Sequence, residues 1–184
     1  MDTTTQALDG TFTADPIHSS LQFSLRHMGV SMFRASFDDL DARVVADDQG
    51  LRLEGSVKAE SISIKQPPEF REHVLYGADF LDANTHPDIT FRSADVRLGD
   101  DGTVSGAGEL TIKGITKPIT ATGTYRAPIE DPFGSERAAL EITATVDRRE
   151  WAMDWQAPLP KGGDALGYDV QLTAHIELVR DGES

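Results

Sequence analysis

Apolar and polar residues alternate along four stretches of the chain with a period of two. These stretches are residues 51–59, 104–112, 138–146 and 168–178. Because successive side chains of a β-strand point to opposite faces, such alternation predicts half-buried antiparallel strands. Weaker strand patterns occupy residues 11–14, 20–28, 33–45, 89–98 and 118–127. The alternation therefore predicts an all-β protein.

Turn-forming residues separate the predicted strands at short intervals. Asp47–Gly50 and Gly99–Gly102 are two such turns. Eight or nine strands at this spacing favour a sandwich or a barrel over a parallel sheet. Because the strands are long and nearly contiguous, we expect an extended eight-stranded antiparallel β-barrel, which leaves no exposed sheet edge. Neither a linker nor a repeat interrupts the pattern, so we expect one domain over residues 1–184 with its core at about 11–180.

A short helix is predicted between the mid-chain strands, at residues 67–77. The segment begins with two prolines, carries Glu69 in its first turn and stops at Gly77, which are ordinary start and stop signals for a helix. Its apolar residues Phe70, Val74 and Leu75 are expected to form the buried stripe. We expect this helix to close one end of the barrel.

The inward-facing positions contain many small residues. An eight-stranded barrel is wide enough either to be filled by side chains or to hold one small ligand. A hydrogen-bonded barrel does not collapse easily, so small side chains would leave an apolar void that accepts an apolar chain. Glycines that only permit bends in the strands would produce the same pattern, and the sequence leaves both interpretations open. The small inward residues are Gly55, Ala59, Gly106, Gly108, Ala121, Gly123, Ala138, Ala144 and Ala174.

The chain carries 31 acidic and 17 basic residues, a formal net charge of −14. A surface this negative repels phosphate backbones and anionic headgroups, so neither nucleic-acid binding nor docking on a membrane surface is expected. No apolar run approaches the roughly 18 residues of a membrane span, so no stable membrane insertion is expected. The first ten residues lack the basic and apolar regions of a signal peptide, which predicts a cytoplasmic location.

The sequence contains no recognisable signature of catalysis or of metal binding. It has no cysteine, no nucleophile elbow and no phosphate-binding loop, and its five histidines lack the spacing of a zinc site. We therefore expect no enzymatic activity, no metal and no cofactor. His27 extends the inward face of Leu25 towards one end of the barrel. With Arg26 at the rim, it would suit a polar or phosphorylated headgroup; the alternative is a hydrogen-bonded histidine that closes the barrel.

Four segments carry more specific motifs: Asp15–Gly29, Asp79–Ser93, Gly108–Ile119 and Asp147–Trp155. Together they resemble the YceI-like family of polyisoprenoid-binding proteins, over about residues 12–178. The resemblance implies a lipocalin-like barrel that carries a long isoprenoid or similar lipid, and it implies a homodimer. Many members of that family are periplasmic, whereas this chain resembles the leaderless cytoplasmic members. It departs from the family pattern at Val74, where histidine is usual, and at Ala152, where glycine is usual.

Three functions agree with these observations. The first is non-enzymatic binding, transport or storage of a long-chain isoprenoid or similar amphiphilic lipid inside the barrel, driven by apolar burial. The second is an enzyme or accessory factor of isoprenoid or quinone metabolism that uses His27 with a neighbouring carboxylate. The third is a filled barrel that acts in a stress response through its surface. For the first function, Arg26 and His27 form the expected rim, and the expected lining is Phe23, Leu25, Ile89, Phe91, Leu110, Ile112, Tyr125, Leu140, Ile142 and Leu172.

Overall fold

A computed structural model describes residues 7–182 of the chain. Residues 1–6, which hold much of the segment on which the expectation of no signal peptide rests, lie outside the described residues. In the described part, no helix is long and apolar enough to cross a bilayer. The helix is α1 (Pro68–Tyr76), and the strands are β1 (Gly10–Ala14), β2 (Ser20–His27), β3 (Ser31–Phe37), β4 (Leu40–Asp47), β5 (Gly50–Lys58), β6 (Asp88–Leu98), β7 (Thr103–Ile112), β8 (Ile115–Glu130), β9 (Glu136–Asp147) and β10 (Leu166–Arg180).

These strands form one antiparallel sheet that closes on itself. The order is β1-β4-β5-β6-β7-β8-β9-β10-β2-β3, and β10 also pairs with β1. Along β10, β1 contacts residues 178–180 and β2 contacts residues 166–175. Strands β3 and β4 lie against β2 and β1 in the same way. Each of these two consecutive pairs therefore acts as one strand of the barrel, which has eight strands as predicted.

The predicted strand over residues 33–45 is divided in two at Asp38 and Asp39. The hydroxyl of Ser36 donates a hydrogen bond to Oδ1 of Asp38 at 2.7 Å, and the amide of Asp38 donates to the carbonyl of Ser61 at 3.3 Å. These local bonds replace the strand ladder at the break. The chain passes there from the side of β2 to the side of β1.

The two ends of the barrel differ in structure. One end, here called the helix end, carries α1, the β2–β3 hairpin tip at residues 28–30, the β7–β8 tip at residues 113–114, and residues 148–165. The other end, here called the turn end, carries the turns between β4 and β5, β6 and β7, and β8 and β9. This arrangement follows from the antiparallel register of the sheet.

The helix covers a gap in the barrel wall. On the side of β3 away from β2, the described residues form backbone bonds only near the end of the strand, where Phe37 bridges to Ile62. Beyond that point α1 lies across the gap. Val74 and Leu75 are buried and Phe70 is half-buried against the core, which confirms the predicted stripe.

The interior of the barrel is filled at the turn end. Apolar side chains from β1, β4, β8, β9 and β10 meet there and are almost completely inaccessible to water. They belong to one buried cluster, so side chains occupy this level of the interior. The filling residues are Phe12, Val44, Tyr125, Leu140 and Leu178.

Candidate functional site

Two adjoining cavities lie between the filled turn end and the helix. Each has a volume of about 110 Å³. The strand cavity is lined by residues of β2 and of β4 to β10. The helix-end cavity is lined by residues of β2, β3, α1 and the neighbouring loops, together with residues of β6, β7, β9 and β10. Their walls consist almost wholly of carbon atoms. Four residues line both cavities and form the waist between them: Leu21, Ile89, Leu110 and Leu172.

Most of the predicted lining residues border these cavities. Phe91 and Ile142 face the strand cavity. Phe23, Leu25 and Ile112 face the helix-end cavity. Ile89, Leu110 and Leu172 lie at the waist and face both cavities. The period-two alternation therefore placed these side chains on the correct face of the sheet.

Tyr125 and Leu140 line neither cavity, contrary to the prediction. They are direct partners across β8 and β9, and they are only 3% and 1% exposed. Burial raises the pKa of the Tyr125 hydroxyl. Both side chains do point inward, but they belong to the filled turn end. Alternation specifies the face of a strand and not the level along the barrel axis at which the interior is hollow.

Several of the small inward residues serve close packing and do not border a cavity. A Cβ atom on Gly108 would lie 2.6 Å from the ring of Phe91, which packs over it. A Cβ atom on Gly123 would lie 1.8 Å from the carbonyl oxygen of Glu141, so the backbone approach requires glycine there. At these two positions glycine is required by a close approach of neighbouring atoms, a reason different from both interpretations of the sequence pattern. The small residues that do line the strand cavity are Gly55, Ala121, Ala144 and Ala174.

His27 and Arg26 lie at the helix end, beside the β2–β3 tip. His27 is half-buried and pairs with Ser31 on β3 and Leu166 on β10. Neither side chain lines a cavity. Within residues 7–182, no side chain forms a hydrogen bond or ion pair with the His27 ring or the Arg26 guanidinium. The carboxylate that the enzyme hypothesis requires is therefore not found beside His27 among these residues.

A buried arginine was missed by the sequence reasoning. Arg148 is 3% exposed and forms part of the wall of the helix-end cavity. Its guanidinium donates to the carbonyl oxygens of Gly167 at 3.0 Å, of Trp155 at 2.8 Å, and of Met153. Burial lowers the pKa of this guanidinium. These bonds fasten the segment that follows β9 to the start of β10, so Arg148 shapes the helix end.

The signal that would have found Arg148 is the alternation of β9. Ala144 and Val146 are buried on the inner face, and two residues further the same face carries Arg148. Arginine is rarely buried without partners, so the pattern alone favours an exposed side chain there. The carbonyl groups that satisfy this arginine belong to the segment after β9 and to the start of β10, whose relative positions only the folded chain defines.

An aromatic cluster forms the outer wall of the helix-end cavity. The rings of Phe80 and Trp155 stack with their centroids 5.6 Å apart, and the ring of His73 meets Phe80 edge to face at 5.0 Å. Nε2 of His73 lies 3.0 Å from Oδ1 of Asp79. Phe80 itself lines the cavity. The cluster therefore connects α1 to the loop that Arg148 holds in place.

At the turn end, Arg137 joins three carboxylates. It donates to Asp131 at 2.7 Å, to Asp15 at 2.8 Å and to Glu177 at 2.7 Å. The Arg137 guanidinium holds the pKa of Asp15 and of Asp131 below its usual range. The ligand atoms of Asp15, His18 and Glu177 lie within 4.8 Å of one another, a grouping that the histidine spacing did not reveal. Because Arg137 already supplies a positive charge to both carboxylates, we assign this network a structural role.

The fold and the interior define a lipocalin-like β-barrel: eight antiparallel strands closed around apolar cavities, with a helix across one end. The YceI-like domain model matches residues 12–178. The chain belongs to the YceI-like family. The UPF0312 protein SA2479 of Staphylococcus aureus strain N315 is 32% identical over 171 residues, which cover 91% of this chain and 96% of that protein.

Solved structures share the fold at lower sequence identity. BcnA of Burkholderia cenocepacia superposes with a TM-score of 0.71 at 19% identity, covering 89% of this chain and 98% of that one. A polyisoprenoid binding domain from Saccharophagus degradans gives a TM-score of 0.67 at 10% identity, covering 92% of this chain and 98% of that one. These similarities establish that the architecture is common to the three proteins.

Proposed function

We propose that this protein binds a long-chain isoprenoid or similar amphiphilic lipid inside the barrel, without altering it chemically, and transports or stores it. The observation that carries the proposal is the interior, which is apolar, hollow near the helix and filled at the turn end. Each methylene group buried in such walls contributes roughly 0.8 kcal/mol. The description of the Saccharophagus degradans domain as polyisoprenoid-binding also supports the proposal.

The cavities are small in the present conformation. Each measures about 110 Å³, whereas an engineered cavity of about 150 Å³ holds one benzene molecule. A long chain therefore requires the interior to widen. Phe23, Phe33 and Phe70 are only half-buried, and all three line the helix-end cavity. Rotation of these rings, or displacement of α1, would extend the hollow towards the helix end.

We further propose that the lipid enters tail first and leaves its headgroup at the helix end. The cavity walls offer a headgroup almost no polar atoms. Arg26 and His27 lie beside the β2–β3 tip at this end, outside the walls of both cavities, and a guanidinium or a protonated imidazole suits phosphate or carboxylate oxygens. We expect His27→Ala to weaken the binding of farnesyl phosphate several-fold and to leave the binding of farnesol unchanged. Equal affinities of the variant and the wild type for farnesyl phosphate would contradict the role of His27.

The proposal is tested first on the lipid that copurifies with the protein. Mass spectrometry of an organic extract from the purified, never-denatured chain is expected to find one dominant isoprenoid at about one molecule per chain. The delipidated protein is then titrated with isoprenoid alcohols of several lengths, and bound lipid should raise its thermal midpoint. Absence of both a copurified lipid and any such stabilisation would show that the proposal is wrong.

The homodimer and the cytoplasmic location remain predictions. Sedimentation equilibrium of the purified full chain tests the first, with a mass near twice that of one chain as the expected result. Fractionation of the source cells tests the second. Neither result changes the proposal about the interior, because the cavities described above are formed within a single chain.

A further inference from the structure

Large apolar side chains are exposed at both ends of the barrel. At the helix end, the β2–β3 tip exposes Met28 by 42% and Val30 by 82%. At the turn end, Ile17, Ile129 and Phe133 are exposed. Single exposed apolar residues are common in proteins. They become informative here because the charge surrounding them differs between the two ends.

The β2–β3 hairpin differs in charge from the rest of the chain. Residues 19–37 contain Arg26, His27 and Arg34 but no aspartate or glutamate, although the chain has 31 acidic residues. The loop beside the tip adds Lys161 and Asp164, whose charges cancel. The turns at the opposite end are acidic, and their acidic residues include Asp47, Asp48, Asp100, Asp101 and Asp131.

The two arginines lie on one face of the hairpin, close behind its apolar tip. Arg26 is paired with Met32 across the hairpin, and Arg34 is paired with Ser24 two residues further from the tip. Positions two residues apart on a strand point to the same side, which is the outer side here. Both arginines are exposed. Within the described residues neither forms an ion pair, and Arg34 donates only a 3.4 Å bond to the Met32 carbonyl.

We propose that the β2–β3 tip docks on the surface of an anionic lipid bilayer. Met28 and Val30 lie at the boundary between headgroups and acyl chains, and Arg26 and Arg34 lie among the headgroup phosphates. An apolar tip flanked by basic residues is the combination that binds an anionic lipid interface. The net charge of −14 does not prevent this contact, because the acidic turn end points away from the surface and the field of the protein orients the hairpin towards it.

The docked orientation places the cavity beside the bilayer. Leu25 and Phe33 of the same hairpin line the helix-end cavity. The gap covered by α1 begins at the edge of β3 that faces away from β2. This inference rests on the proposed function, since a bilayer is then the source or the acceptor of the bound lipid. An acidic protein is the other kind of partner that two unpaired arginines suit, and the experiment separates the two.

The test is cosedimentation of the full chain with vesicles at low ionic strength. One set of vesicles is phosphatidylcholine alone, and the other contains phosphatidylglycerol. We expect binding at least about tenfold tighter to the anionic vesicles. Both Met28→Ser/Val30→Ser and Arg34→Glu are expected to weaken that binding by about tenfold. The matched control is Ile129→Ser/Phe133→Ser, which removes two apolar residues at the turn end that are at least as exposed as those of the tip, and it is expected to bind like the wild type.

The proposal is overturned if the wild type does not bind anionic vesicles, which is the result expected if the partner is an acidic protein. It is also overturned if the control variant loses as much vesicle binding as the tip variant. A thermal melt of each variant verifies its fold, and Arg34→Glu keeps the test valid if the serine substitutions unfold the tip. Isoprenoid titration without vesicles gives the second readout, and both hairpin variants should match the wild type in it. If the protein bound vesicles but took up no isoprenoid, the proposed function would be refuted and the proposed docking surface would still be supported.

Discussion

The ring of Phe33 on β3 meets the ring of Phe70 on α1 edge to face, with their centroids 5.8 Å apart. Among the described residues, the edge of β3 that faces away from β2 has no strand partner near the hairpin tip, which leaves a gap in the barrel wall. Phe33 lies on β3, and Phe70 lies on the helix that covers this gap. The two rings therefore close the barrel wall through side chains where the backbone ladder is missing. A side-chain contact of this kind separates more easily than a strand ladder.

Phe70→Ala is expected to accelerate lipid release. The substitution removes the helix side of the aromatic contact and should lower the free energy of unfolding by about 1–3 kcal/mol. Stopped-flow release of a bound fluorescent isoprenoid is expected to be several-fold faster than in the wild type. Phe133→Ala is the control, because Phe133 is 92% exposed at the turn end. Unchanged release from the Phe70 variant would show that lipid does not pass between β3 and α1.

Leu172→Phe is expected to shorten the chain that the interior accepts. Leu172 is one of the four residues at the waist, so a larger side chain there separates the two cavities at a stability cost of about 1–3 kcal/mol. Calorimetric titration should show at least tenfold weaker binding of geranylgeraniol and nearly unchanged binding of geraniol. Leu51→Phe makes the same change at a half-buried site that lines neither cavity. Equal effects of the two substitutions would place the bound chain outside the waist.

Arg148→Met is expected to destabilise the helix end strongly. It leaves the carbonyl groups of Gly167, Trp155 and Met153 without their donor, and such losses cost about 3–5 kcal/mol. Arg148→Lys should not restore the stability, because one ammonium group cannot span the three carbonyls. The measurement is urea denaturation. The control is Arg149→Met, which removes an exposed ion pair with Asp147 and should change the stability little. If Arg148→Met lost no more stability than Arg149→Met, Arg148 would not hold the helix end together.

Arg137→Met is expected to make the stability of the fold depend less steeply on pH in the acidic range. Arg137 lowers the pKa of Asp15 and Asp131 in the folded chain from their usual 3.8. Lowered carboxyl pKa values stabilise the fold above the unfolded value, and this stabilisation is lost as the pH falls towards the folded values. Urea midpoints measured from about pH 5 down to about pH 2 should therefore fall less in the variant than in the wild type. Arg92→Met, at the exposed pair with Glu109, should keep the wild-type slope.

The sequence predicted the barrel well because a strand exposes its period directly. Alternation through Leu25, Ile142 and Leu172 identified residues that do face the cavities. The break at Asp38 was missed, since the bond from Ser36 and the pairing with two different strands are set by neighbours distant in sequence. Arg148 was missed for the same reason. Its acceptors lie in the segment after β9 and at the start of β10, which are neighbours of Arg148 only in the folded chain.

The sequence by itself determined the inward face of the strongly alternating strands, the barrel architecture, the position of the helix and the family. Local periodicity, turn residues and motif spacing are sufficient for these properties because each is encoded within a few neighbouring residues. Only the tertiary structure decided where the barrel is hollow. Tyr125 and Leu140 fill one level of the interior while Leu110 and Leu172 border a cavity at another. That difference depends on how side chains from all the strands share one volume, and no single segment of the chain specifies it.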